Sequence, residues 1–63
     1  MTKHEIKRAM FFNLKKQLNA QKLLDTCQEA NETASVRFYE GEISELEKQL
    51  NELYAQYENC ISD

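Results

Sequence analysis

Apolar residues recur at alternating steps of three and four through the second half of the chain: Val36, Tyr39, Ile43, Leu46, Leu50, Leu53, Tyr57 and Cys60. This is the spacing of a helix that lays one face along another helix. Written as heptads, Val36, Ile43, Leu50 and Tyr57 take the a positions, and Tyr39, Leu46, Leu53 and Cys60 the d positions. The flanking positions are then Glu40, Glu42, Glu47, Gln49, Tyr54 and Gln56. Acids line this seam and bases do not. A parallel homodimer of this helix alone would set Glu42 against Glu47 of its twin, which is repulsive. The pattern asks for a neighbour flanked by bases.

The first half supplies one. Thr2 and Glu5 have the spacing of a capping box, so the first helix is expected to begin at Lys3. It meets no breaker before the polar cluster at residues 31–35, Asn-Glu-Thr-Ala-Ser. Asn31 suits the left-handed conformation that ends a helix, and Thr33 or Ser35 suits the cap of the next. The expectation is an all-α, antiparallel two-helix hairpin, coiled-coil-like, filling residues 1–63. Its first helix covers about 3–30, its turn about 31–34 and its second helix about 35–61. Gly41 competes as a turn, and Ser44 with Glu47 forms another capping-box match. The apolar stripe keeps its phase across the glycine, which favours one continuous helix at a local cost of about 1 kcal/mol.

Folding the chain about residues 31–32 gives two candidate sets on the first helix. One register points Ile6, Met10, Ala20, Leu24 and Cys27 inward. The other sets Phe11 opposite Leu53, Leu14 opposite Leu50 and Leu18 opposite Leu46. Together they span roughly 200° of a helical wheel, about twice what one neighbour covers. The first helix is therefore expected to touch two neighbours. A second copy, giving an antiparallel four-helix bundle, or a groove on another protein would supply the further contact. Phe12 and Leu23 point away from Leu14 and Leu18, as packed residues or as anchors for a partner. Asn13, Gln17 and Gln21 lie in or beside the apolar arc, where buried amides fix register or exposed ones read a nucleic acid.

Composition sharpens this picture in a few places. There is no proline and one glycine, and 30% of residues are charged, which favours long helices. Sixty-three residues bury a small core, so a helper such as self-association is expected. No run reaches the roughly 20 apolar residues of a membrane span, and a cytoplasmic chain with reduced thiols is expected. The net charge of −3 is unevenly spread: residues 1–30 hold six bases and three acids, residues 31–63 two bases and eight acids. The halves should attract each other, and a basic face could serve an acidic partner or a nucleic acid.

Candidate chemistry is sparse. The single histidine, His4, has no serine or cysteine at helical spacing, and one His with one Cys is too few for zinc. One glycine excludes a glycine-rich phosphate loop. Cys27 near the turn and Cys60 at the open end lie roughly 35 Å apart along the axis, beyond bridging. Neither catalytic residues nor a metal or cofactor is expected, and the chain reads as a non-enzyme.

The opening "MTKHE", the fragment "NELY" in the second helix, the length, the midpoint turn and the basic first helix together resemble the repressor-of-primer (Rop) family. That family is a helical hairpin that dimerises into a four-helix bundle and binds paired RNA loops through its first helices. The family's regular layering of small and large core residues is absent here. The resemblance implies an RNA face of Lys3, Lys7, Arg8, Asn13, Lys15, Lys16, Gln17 and Lys22. The leading expectation is instead a protein-interaction module, an adaptor, inhibitor or co-chaperone, acting through Met10, Phe11, Phe12 and Leu23 with Arg8 and Lys16 at the rim. A purely structural oligomer is the remaining alternative.

Overall fold

The computed structural model describes residues 2–61; Met1 of the opening pentapeptide and Asp63 of the acidic half lie outside them. The described chain forms two α-helices, α1 (Lys3–Glu29) and α2 (Thr33–Asn59), packed against each other as an antiparallel hairpin. Its principal extents are 47 × 14 × 11 Å. Each helix has 27 residues, so the two match in length and pair from turn to open end.

Local chemistry explains both boundaries of α1. Thr2 is its N-cap: the Thr2 hydroxyl accepts from the Glu5 backbone N–H at 3.2 Å, and the Glu5 carboxylate accepts from the Thr2 N–H at 3.4 Å. The expected capping box is therefore formed. At the other end Asn31 adopts φ 57°, the left-handed region that asparagine tolerates better than most residues. The Glu32 N–H then reaches the Cys27 carbonyl at 3.0 Å and the Asn31 N–H the Gln28 carbonyl at 3.2 Å. These two bonds are the Schellman arrangement, and they reverse the chain with a short turn.

The start of α2 differs from expectation. The helix begins at Thr33, and its N-cap is Glu32, with no side-chain hydrogen bond to the orphan N–H groups. Neither Thr33 nor Ser35 occupies the cap, because the tight Schellman turn hands the chain directly to the new helix. Gly41 lies inside α2, which runs through it without a break. The apolar phase across that glycine thus outweighs its poor helix propensity.

The seam settles which of the two candidate sets on α1 faces inward. Ile6, Ala20 and Leu24 are buried, with Met10 and Cys27 half-buried beside them. Phe11, Leu14 and Leu18, paired with α2 in the other register, are exposed at 59%, 46% and 67%. One neighbouring helix covers only about half of so wide an apolar arc. The buried face also includes the compact, polar Asn13. On α2, which ends at Asn59 rather than near 61, the stripe from Val36 to Tyr57 faces the seam but stays half-buried, as does Cys60 just past the helix, and no α2 residue is fully buried.

Asn13 is the one buried polar side chain among the described residues, 5% exposed. Its Nδ2 donates to the Leu46 carbonyl of α2 at 2.8 Å, and its Oδ1 accepts from Gln17 Nε2 at 2.6 Å. Every buried side-chain polar atom among the described residues is satisfied. The pair therefore pins α1 to one height on α2, since a shift would strand the amide in an apolar seam.

Candidate interaction surface

The exposed surface of α1 is built from two apolar stripes. Phe11, Leu14 and Leu18 fall within about 60° of one another on the helical wheel, on a flank that runs from beside Met10 to the outer face. Phe12 and Leu23, eleven residues apart, fall within about 20° of each other on the opposite flank. The stripes meet at the adjacent phenylalanines, whose rings pack edge to face with centroids 6.2 Å apart. All five side chains are exposed, where α2 shows Phe38 and Tyr54 at its flanks and Ile61 follows its end.

Charge surrounds these stripes with one sign. From Ile6 to Leu24 the chain holds Lys7, Arg8, Lys15, Lys16 and Lys22 and no acid. Lys15 Nζ lies 5.6 Å from the centroid of the Phe11 ring, a cation–π contact. His4, Lys7, Arg8, Phe11 and Phe12 line one shallow, mostly apolar recess on the outer side. At the open end Lys3 and Lys7 hold their ammonium groups 5.4 and 5.6 Å from the Tyr57 ring centroid. The contact that these two bases of α1 make across the seam is thus with an aromatic face of α2.

The candidate residues divide by position. Arg8, Phe11, Phe12, Lys15, Lys16, Lys22 and Leu23 are exposed, and Lys7 is exposed beside the seam. Met10 and Lys3 are half-buried. Asn13 and Gln17 stand apart from the surface lysines: Gln17 donates to Asn13, and Asn13 donates to the Leu46 carbonyl of α2. Gln21 is exposed and donates to Asp25 at 3.0 Å. Leu14 and Leu18, assigned by one register to the seam, join the surface instead. Phe38 was missed as a surface residue; its position between Val36 and Tyr39, outside the a and d series, was the available signal.

A second feature lies on the flank that carries Phe12 and Leu23, where the seam is open. Lys16, Asn19 and Leu23 of α1 face Phe38, Glu42 and Glu45 of α2 across a groove. Toward the open end the same side continues past Phe12 to Gln49 and Leu53.

Among the described residues, no three His, Cys, Asp or Glu side chains come together to hold a metal. Among the same residues, no helix is long and apolar enough to cross a membrane. Cys27 and Cys60 sit at opposite ends of the hairpin and do not bridge. No protein-family model matches the chain, and no curated protein or solved structure is significantly similar to it.

Proposed function

We propose that the chain is a non-enzymatic, cytoplasmic interaction module that pairs into a four-helix bundle and holds an acidic protein partner against α1. Its role would be that of an adaptor, inhibitor or co-chaperone. The observation that carries this reading is the stretch from Ile6 to Leu24, where five large apolar side chains are exposed among five bases and no acid. Phe11, Leu14 and Leu18 form the anchor, and Lys7, Arg8, Lys15 and Lys22 steer an acidic surface onto it. The mechanism is occlusion: an apolar, acid-flanked segment of the partner is covered and withheld from its other contacts.

The test uses affinity capture from the native cell, followed by binding of the captured protein's acidic segment as a synthetic peptide. Phe11→Ala with Leu18→Ala should weaken peptide binding at least tenfold and leave the circular dichroism unchanged. Unchanged binding, or loss of helicity, overturns the assignment of these residues.

A second reading, RNA binding in the manner of the repressor-of-primer family, is favoured by one cluster. Phe11 and Phe12 stand beside Lys7 and Arg8 in the outer recess, the pairing of stacking surface and phosphate contact used on single strands. That reading now rests on the exposed bases rather than on Asn13 or Gln17. A gel shift with structured RNA, weakening steeply with salt, would support it; no shift at low salt removes it. If neither ligand binds, a purely structural oligomer is left.

A further inference from the structure

We propose that two hairpins pair through the open flank of the seam, with α1 of each copy lying over α2 of the other and the two-fold axis parallel to the helices. The inference rests on the reading above that the hairpin pairs at all, and it names the face, the orientation and the charges that select them.

The flank is incomplete in one hairpin. Every apolar stripe residue of α2 is half-exposed, and on this side Ala20, Tyr39 and Leu46 form the floor of the open groove. Phe12, Leu23 and Phe38 stand exposed along its edges. From Phe12 to Leu23 the apolar edge runs about 16 Å along α1. Such a face buries little in a monomer and gains a core when a like face closes on it.

Charge decides which way it closes. The α1 edge carries Lys16 and the α2 edge Glu42 and Glu45, all exposed. A two-fold axis running across the helices would lay α1 on α1 and α2 on α2, setting lysine toward lysine and glutamate toward glutamate. An axis running along the helices lays α1 over α2 of the second copy. That rotation preserves height along the bundle. Lys16 lines the same grooves as Leu46, so it arrives at the height of Leu46 on the second copy, beside Glu42 and Glu45. Leu23 arrives beside Phe38 by the same rule, since both line one groove. Every neighbouring helix pair is then antiparallel, and each pairs a base-rich with an acid-rich helix. Phe11, Leu14 and Leu18 stay on the outside, free for a different partner.

Sedimentation equilibrium of the full chain, combined with spin labelling, tests this. Wild type should be a dimer. Lys16→Glu should weaken the dimer at least tenfold, and so should Glu42→Lys with Glu45→Lys. An equimolar mixture of these two variants should regain dimerisation, because each reversed charge meets its complement. Labels at Ala30→Cys, in a chain with Cys27→Ser and Cys60→Ser, report orientation. Turns at the same end place the labels within about two interaxial distances, ~20 Å. Turns at opposite ends place them about 40 Å apart, the length of a helix. A dimer with the long distance, or folded variants whose mixture fails to associate, overturns the arrangement while pairing itself stands. A chain that stays monomeric at millimolar concentration overturns both.

Discussion

The two helices have equal length and opposite characters. α2 has the cleaner pattern, an unbroken three-four stripe of seven apolar residues with Cys60 as the eighth just past its end, yet none of its residues is fully buried. α1 has a diffuse apolar arc and supplies every buried residue among the described ones: Ile6, Asn13, Ala20 and Leu24. The difference lies in how each helix meets the seam: α1 sets Ile6, Asn13, Ala20 and Leu24 at its centre, while on the flank where Ala20 meets Tyr39 and Leu46 the groove between the helices stays open. A regular stripe thus tells where a helix faces, and the partner's shape decides how much of the stripe is covered. α1 holds the hairpin together, while its remaining face and the uncovered half of α2 are left for association.

The sharpest way to break this contrast is to empty the core on the α1 side. Leu24→Ala removes a buried side chain and should cost about 2–4 kcal/mol. For a hairpin this small that approaches the whole stability. Leu18→Ala, on the exposed stripe of the same helix, should stay within about 0.5 kcal/mol. Urea unfolding followed by circular dichroism compares the two. Equal losses would mean that Leu18 is packed, and that α1 does not divide into an inner and an outer face.

The inner face is polar at one point, and the next largest effect lies there. Asn13→Ala leaves the Gln17 amide without its partner inside the seam and should destabilise by about 1–2 kcal/mol. Asn13→Leu strands the same Gln17 amide, so it should recover only part of that loss, through the apolar area it buries. It should also broaden the amide resonances in a nitrogen–proton correlation spectrum, as α1 gains freedom to slide along α2. A sharp single set of peaks for Asn13→Leu would show that the apolar residues alone fix the register.

The fold was largely legible in the sequence, and the division of α1 was not. The capping box at Thr2, the reversal at Asn31, the stripe of α2 and its passage through Gly41 are local signals, and each is found where the sequence places it. The choice between two inward sets on α1 is tertiary. Periodicity puts Phe11, Leu14 and Leu18 on equal terms with Ile6, Met10 and Leu24, and only the packing against α2 separates them. The candidate surface inherits that difficulty: one register places Leu14 and Leu18 in the seam, and the pattern leaves Asn13 and Gln17 between fixing register and facing a nucleic acid.

A smaller effect sharpens the comparison on the α2 side. Gly41 sits in mid-helix, and a Cβ placed on it meets nothing within 4 Å. Gly41→Ala should therefore stabilise the hairpin by about 1 kcal/mol, through backbone entropy alone. Thermal unfolding of the dilute protein measures it. A loss of stability that appears only at concentrations where the chain associates would mean that another chain approaches this face closely.

The smallest expected change concerns the helix starts, where the two helices differ again. Thr2 caps α1 with its hydroxyl, but Glu32 caps α2 with no side-chain bond. Thr2→Ala should cost about 1 kcal/mol, the usual loss of an N-cap oxygen. Glu32→Ser offers α2 the oxygen it lacks, and the gain should be nearer 0.5 kcal/mol. Two factors shrink it. Glu32 has ψ 81° rather than the extended value of Thr2, 162°, so a serine hydroxyl must reach the orphan N–H groups from a less suitable angle. Glu32 also places a carboxylate at the positive end of α2, and serine forgoes that attraction. Raising the salt concentration separates the contributions. If salt enlarges the advantage of Glu32→Ser, the glutamate was stabilising α2 by its charge. If the advantage does not change with salt, the hydroxyl bond alone sets it, and the start of α2 is limited by the geometry of the Schellman turn before it.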